Sequence, residues 1–348
     1  MKVAFVGLSG GTHLGGSFAR AAENLGVATV WFDANEAFRG PRLLRSLSWR
    51  LAQRRPLRLG RFSAEVVKAC ASASPDILIV LGTSVLSQPA LRKLHSMGIV
   101  CIAFSSDDPW NRNLRADWHL AALPAYDIVF TPRRANLEDF RALGCTDVRY
   151  LPFGYDDGLF SVPREEEGAP SRDVLFAGGA DQDRVAFMTE FLRAGLDTAL
   201  VGGYWERFAE TRSRALGLKT PEELNAMTAA AKVNLCLVRR ANRDGHVMRS
   251  FEIAAAGGCM LAEDTDEHRE IFGEDGEAVL YFRNAREAAE RASLMLANPA
   301  ERARLAAAVR TRVAGPKNTY RARLVTMLEA ASALRSGPKT PDFRLAAQ

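Results

Sequence analysis

Short apolar runs alternate along this chain with stretches whose apolar positions recur every three or four residues, and the pattern continues to about Leu328. Uninterrupted apolar runs suit strands buried on both faces of a parallel sheet, and the amphipathic stretches between them suit the helices that cover such a sheet. The pattern predicts strands at Val3–Gly7, Ala28–Asp33, Ile77–Gly82, Ile99–Phe104, Ile128–Thr131 and Val148–Leu151. Helices are expected near Ser17–Leu25, Ser63–Ser72, Gln88–Ser96, Leu114–Leu123 and Arg133–Leu143. Alternation stops at Pro152–Pro170, where prolines, glycines and an acidic run read as a linker. It resumes with strands at Val174–Ala177, Thr198–Gly202, Val233–Val238, Cys259–Ala262 and Ala278–Phe282. Helices are expected there at Arg184–Ala194, Pro221–Ala230, Arg249–Ala256 and Asp266–Phe272, and three helices rich in Ala, Arg and Leu close the chain.

The fold class is therefore α/β, with two Rossmann-like domains. The expected boundaries are 1–155 for the first, 156–171 for the linker, 172–316 for the second and 317–348 for the terminal helix and tail. A length of 348 residues fits two domains better than one core, and 47% hydrophobic with 25% charged residues is ordinary for a globular protein. The N-terminus lacks the apolar core of a signal peptide, and no apolar run reaches the length of a membrane span. Five scattered cysteines form no Cys-x-x-Cys pair, which reads as reduced thiols in a cytoplasmic protein.

Charge changes the picture in one place. The stretch Arg39–Arg61 holds eight arginines and no acidic residue, more than the whole net charge of +5. Basic character is thus local, and nucleic acid is not an expected partner. Leu43, Leu44, Leu47, Trp49 and Leu51 lie in the same stretch, which reads either as a solvated helix or as a peripheral contact with anionic lipid on the inner membrane face.

Three segments carry candidate chemistry. The turn Gly7–Phe18 is glycine-rich and leads into a helix N-terminus, where negative charge is favoured. With Asp33 at the end of the second strand it raises a dinucleotide-binding reading, although its spacing is not G-x-G-x-x-G. His13 in this turn reads either as a polar contact to an acceptor hydroxyl or as a surface histidine. The second segment, Phe104–Trp110, places Asp107 and Asp108 after a strand; Asp107 suits orienting or deprotonating an acceptor hydroxyl, and Asp108 suits the turn before Pro109.

The third segment runs from Val238 to His268. Arg249 at a helix N-terminus can join backbone N–H groups in holding a diphosphate, and Glu252 on the same helix face can accept two ribose hydroxyls. Asp244, eight positions before Glu252, can bind hydroxyls of a transferred sugar. The competing reading is a solvated loop acid and a helix-face Arg–Glu pair. Asp264-Thr265-Asp266 forms a DxD string, yet Asp266 reads more simply as a helix N-cap, so no metal site is expected.

The run Arg249-Ser250-Phe251-Glu252-Ile253-Ala254-Ala255-Ala256-Gly257-Gly258 resembles the core of the family-1 and family-4-like glycosyltransferase domains, especially the spore-maturation CgeB-like group. Phe176–Gly179 followed by Arg184, Val201–Phe208, Leu296–Val313 and Asn318-Thr319-Tyr320 resemble further parts of that family. The resemblance implies a GT-B fold, two Rossmann-like domains facing each other across a cleft, with C-terminal helices packing back on the first. It also implies transfer of a sugar from a nucleotide-diphosphate donor to a hydroxyl acceptor, glycan, lipid-linked or small molecule, with retention of configuration and no metal or other cofactor. The implied donor residues are Gly179, Arg184, Arg249, Glu252, Gly257 and Gly258, with Asp244 on the sugar and with His13 and Asp107 toward the acceptor. The chain departs from the family's Glu-x7-Glu pair by having Asp244 first, and it has Ser106-Asp107 where relatives have a histidine. A nucleotide-sugar epimerase on the same fold, an NAD-dependent oxidoreductase and a non-catalytic scaffold are the other readings.

Overall fold

The computed structural model describes residues 1–8, 14–163 and 171–336. Within them the chain divides into two compact units. The first takes Met1–Pro152, Ala241–Arg243 and the chain from Arg321 onward, and the second takes Phe153–Arg240 and Asp244–Tyr320.

The first unit is a six-stranded parallel sheet in the order β2-β1-β3-β4-β5-β6. Its strands are β1 (Lys2–Gly7), β2 (Ala28–Asp33), β3 (Ile77–Leu81), β4 (Val100–Phe104), β5 (Ile128–Thr131) and β6 (Val148–Tyr150). The helices are α1 (Leu14–Asn24), α2 (Asn35–Phe38), α3 (Arg42–Leu51), α4 (Leu59–Ala73), α5 (Gln88–His95), α6 (Asp117–Leu120) and α7 (Leu137–Ala142). Every residue of β3, β4 and β5 is buried, as their unbroken apolar sequences require of central strands. Edge strand β2 is only partly covered, and its Trp31 stacks on Phe5 of β1 at 4.4 Å. The chain reverses its winding between β1 and β3, so the carboxyl ends of these strands are the first unit's switch point.

The second unit has the order β11-β10-β9-β7-β8, again all parallel. Its elements are β7 (Val174–Ala177), α8 (Gln182–Phe191), β8 (Thr198–Val201), α9 (Pro221–Ala230), β9 (Val233–Cys236) and α10 (Met248–Ala255). They continue with β10 (Met260–Glu263), α11 (Asp266–Phe272), β11 (Leu280–Phe282), α12 (Ala285–Ala297) and α13 (Pro299–Val313). The last helix, α14 (Tyr320–Ser336), belongs from Arg321 to the first unit, where Arg323 donates to the Pro152 carbonyl at 2.9 Å. Here the winding reverses between β7 and β9. Val174, Phe176, Val233, Leu235 and Leu261 pack with Met188, Phe191 and Trp205 as the core.

Two expected elements differ. The helix expected over Leu114–Leu123 shrinks to α6, because Asn111 accepts the Asn113 N–H at 2.9 Å and holds the preceding segment in a turn. The expected linker is in part a built segment of the second unit. Tyr155 pairs with Thr319, the Tyr320 N–H reaches the Tyr155 carbonyl at 2.9 Å, and Asp156 closes a turn by accepting the Gly158 N–H at 3.0 Å. Residues 164–170 of that stretch lie outside the described residues.

The end of β8 is set by a close backbone approach. Gly202 has a φ of 136°, and a Cβ there would stand 2.3 Å from the Gly178 carbonyl oxygen. Gly202→Ala should lower the unfolding free energy by roughly 3 kcal/mol or more in urea titration, and an unchanged midpoint would refute this account of the turn.

Candidate functional site

Of the residues that the sequence singles out in the second half, Gly179, Arg184, Asp244 and Arg249 lie on the segments that leave the carboxyl ends of β7 and β9, whereas Gly257 and Gly258 precede β10 at its amino end. Arg184, in the first turn of α8, is buried, and its guanidinium sits where β7 and β9 part. Its Nη1 donates to the Gly179 carbonyl at 3.3 Å and its Nη2 to the Leu237 carbonyl at 3.4 Å. The side chain of Asp181 caps α8 through the Arg184 N–H at 2.9 Å and lies 3.7 Å from Arg184 Nε. That buried Nε makes no hydrogen bond among the described residues. Burial, with Arg239 nearby, draws the guanidinium below its ordinary pKa against the opposing charges of Asp181 and Asp244. Asp244 is itself buried, and its N–H reaches the Arg239 carbonyl at 3.3 Å.

Helix α10 supplies the next pair. Arg249 and Glu252 are one helical turn apart and form a direct ion pair, Arg249 Nη1 donating to Glu252 Oε2. Glu252 is 3% exposed, and burial pushes its carboxyl above the ordinary carboxylate value; Arg249 opposes the shift and the charge of Asp156 adds to it. The Arg249 guanidinium also lies 5.9 Å from the centre of the Phe160 ring.

Gly257 and Gly258 follow α10 and are explained by the chain itself. Gly257 ends the helix with a φ of 77°, and a Cβ on Gly258 would stand 2.6 Å from the Asn234 amide nitrogen. Gly179 contributes the carbonyl that Arg184 holds.

Two buried histidines, quoted within the sequence motif but assigned no role from it, hold this region in place. His268 of α11 can only donate from Nδ1 to the Glu263 carbonyl, at 2.7 Å, so its Nε2 accepts from the Ser250 hydroxyl at 2.8 Å. Ser250 in turn accepts the Val247 N–H at 3.1 Å and satisfies a free amide at the start of α10. His246 accepts the Phe153 N–H on Nε2 at 3.1 Å and pairs through Nδ1 with Glu267 at 2.6 Å. Glu263 at the end of β10 accepts from the Val238 N–H at 3.1 Å and from Arg240 Nη2 at 2.8 Å. The sequence gives no sign of their burial, since His246 and His268 both stand among charged residues.

The DxD string is committed elsewhere. Asp264 pairs with Arg269 at 2.7 Å and Arg283 at 3.5 Å. The cap of α11 is Thr265, whose hydroxyl accepts the His268 N–H at 3.1 Å; Asp266, expected as that cap, is the first helical residue instead. Among the described residues no group of three or more His, Cys, Asp or Glu is arranged to hold a metal ion.

In the first unit, Asp107 and Asp108 follow β4. Asp108 is 1% exposed and accepts from Arg243 Nε at 2.6 Å, Arg243 Nη2 at 3.0 Å, Asn136 at 2.9 Å and the Trp110 N–H at 2.9 Å. These bonds hold Arg243 at a φ of 52°. Asp107 accepts from the Asn242 amide at 3.2 Å. The unforeseen neighbour is His119 of α6, buried, with no hydrogen bond on Nδ1 among the described residues. Burial pushes its pKa down to about 4, against the charge of Asp107 and a hydrogen bond to the Ser84 backbone. Asp33 accepts the Asn35 N–H at 2.9 Å, a local turn contact. His13 lies outside the described residues.

Comparison with known proteins gives this arrangement a class. Residues 183–329, which contain Arg184, Asp244 and all of α10, match the model of the family described as "Glycosyl transferase-like". Among solved structures, Anabaena HepE in complex with UDP-glucose superposes with a TM-score of 0.64 at 13% identity, over 95% of this chain and all of the other. A glycosyltransferase from Rickettsia africae superposes at 0.63 and 10% identity, over 97% of this chain and 99% of that one. A putative UDP-N-acetylglucosamine 2-epimerase from Listeria monocytogenes superposes at 0.56 and 14%, over 98% of both chains. No curated protein sequence matches the chain. The two α/β units thus have the GT-B fold, and the segment that matches the glycosyl transferase-like model holds the Arg249–Gly258 motif.

The histidines give the protein a pH dependence. Burial pushes His268 down to about 4, as it does His119, while in the unfolded chain a histidine titrates near 6.5. As pH falls from about 6.5 toward 4 the unfolded chain takes up protons that the native state refuses, so stability is full above that window and lost through it. In His268→Gln the unfolding free energy from urea titration should fall less steeply over this range, by up to roughly 1.4 kcal/mol per pH unit. A profile parallel to that of the wild type would show that His268 is not the neutral acceptor described.

Proposed function

We propose that the chain transfers a sugar from a nucleotide-diphosphate donor to a hydroxyl acceptor, with the donor bound by the second unit at the end of β7, β9 and α10. The observation that carries this reading is Arg184. It is a buried guanidinium at a sheet switch point whose Nε makes no hydrogen bond among the described residues, inside a segment that matches a glycosyl transferase-like model. A buried donor without a partner is rare, and an anion arriving at this place would satisfy it.

In this reading Arg184 and Arg249 neutralise the charge that grows on the diphosphate as the glycosidic bond breaks, a role that a divalent cation can fill. Glu252 accepts the ribose hydroxyls. Its burial suits it to that task, because a carboxylate in a dry site pairs strongly with whatever donors reach it. Donor entry transfers Arg249 from Glu252 to phosphate oxygens, and Glu252 from Arg249 to hydroxyls. Asp244, whose charge already acts on Arg184, contacts the sugar. Asp107 and His119 are the groups for the acceptor hydroxyl, His119 by virtue of a neutral ring with a free nitrogen among the described residues. Retention of configuration and independence from metal are supported by the likeness of the Arg249–Gly258 motif to retaining enzymes and by the two arginines. The neighbouring structure holding UDP-glucose supports a nucleotide sugar as donor.

The test is a panel of UDP-, GDP-, dTDP- and CMP-sugars, run with chelator, that reads thermal stabilisation and donor hydrolysis. One donor should stabilise the wild type, and Glu252→Gln and Arg249→Ala should each weaken it on the order of tenfold to a hundredfold. Stabilisation by no nucleotide, or equal stabilisation of Glu252→Gln, would remove the site. Release of a rearranged free sugar instead of a glycoside would assign the fold to epimerisation.

A further inference from the structure

Helix α3 is attached to its unit in an unusual way. Its ten residues include Leu43, Leu44, Leu47 and Leu51, and none of the ten is buried. At 100° per residue these four leucines fall within one side of the helix, in the i, i+4, i+8 and i, i+3, i+7 relations, while Arg42, Arg45 and Trp49 lie opposite and Arg50 borders the stripe. The leucine exposures are 80, 51, 52 and 81%, and Trp49 is 64% exposed. An amphipathic helix ordinarily packs through its apolar side, and this one does not.

What holds α3 is a polar clasp at its C-terminal end. The chain turns through left-handed φ values at Gln53 and Arg54. Gln53 then accepts the Asp117 N–H at 2.7 Å and donates to the Asp117 carboxylate at 2.9 Å, and its carbonyl accepts from Trp118 Nε1 at 2.9 Å. Arg54 donates to the carbonyls of Asn113 and, at 2.8 Å, Arg115, and lies 5.9 Å from the centre of the Trp49 ring. The Ser48 hydroxyl closes the turn on the Arg55 carbonyl at 2.5 Å. The leucine stripe is left uncommitted. Arg42, Arg45, Arg50 and Arg55 have no ion pair among the described residues, and the stretch from Arg39 to Arg61 contains no carboxylate.

We propose that α3 rests on an anionic lipid surface, with Leu43, Leu44, Leu47 and Leu51 entering the acyl boundary and the arginines among the headgroups. Four exposed leucines on one side favour an apolar phase, and Arg50 at the border of the stripe, with Arg42 and Arg45 behind it and none of the three in an ion pair among the described residues, favours a phase whose border is anionic. Trp49, opposite the leucines, keeps Arg54 in the clasp. Among the described residues no helix is long and apolar enough to cross a membrane, so the contact is peripheral. It is independent of the donor chemistry.

The experiment is co-sedimentation of the full chain with vesicles of zwitterionic lipid and with vesicles that also contain phosphatidylglycerol. The protein should pellet with the anionic vesicles only, and less as salt is raised. Leu47→Ser and Leu51→Ser should each reduce partitioning about tenfold with the charge unchanged. Arg42→Ala and Arg45→Ala should reduce it roughly fivefold each. Because these side chains are exposed, the variants should unfold at the wild-type urea midpoint, and hydrolysis of a nucleotide sugar in lipid-free buffer should be unchanged. Failure to pellet with anionic vesicles, or pelleting indifferent to the leucine substitutions, overturns the proposal. So does a wild type that is dimeric and becomes monomeric in Leu47→Ser without binding vesicles, since a second copy would then be the occupant.

Discussion

In a parallel sheet the backbone carbonyls at the carboxyl ends of the strands all point the same way, and where the winding reverses, the connections on either side leave in opposite directions. Such a place has acceptors in excess and little chain to satisfy them. In the second unit Arg184 meets part of that excess by reaching the Gly179 and Leu237 carbonyls across the gap between β7 and β9, and Trp205 Nε1 donates to the Gly178 carbonyl beside it. Much of the candidate site depends on this placement. It puts a positive charge on the floor of the site, brings Asp181 and Asp244 within range of it, and leaves Nε without a hydrogen bond among the described residues.

A second layer of contacts fixes what stands over that floor. Ser250 and His268 set the first turn of α10, and Glu263 joins the loop after β9 to the end of β10. The helix can therefore present Arg249 and Glu252 together, and the cost of burying Glu252 is offset by the guanidinium beside it.

The fold was legible in the sequence because strands buried on both faces leave an apolar run that no solvated element would carry. Val174–Ala177 and Ile128–Thr131, buried throughout, are strands over the same residues that the pattern marks. The helix expected over Leu114–Leu123 was not legible, since what shortens it is the side chain of Asn111, a local hydrogen bond that competes with helix and leaves no trace in periodicity. At the site, the spacing of Arg249 and Glu252 foretold one helix face. The inward placing of His119, His246 and His268 did not show, because burial of a single polar residue is decided by partners distant in sequence: Phe153 and Glu267 for His246, Ser250 for His268 and Ser84 for His119. Gly257 and Gly258 were read toward a ligand, and the needs of helix termination and of Asn234 account for them.

The clasp that holds α3 has a consequence for how this surface can change over time. Since Gln53 and Arg54 fasten the helix by its end, the fold exerts almost no demand on positions 43, 44, 47 and 51, and mutation there is free to drift toward polar residues. The stability of the folded unit and whatever the leucine side contacts can therefore change independently of each other.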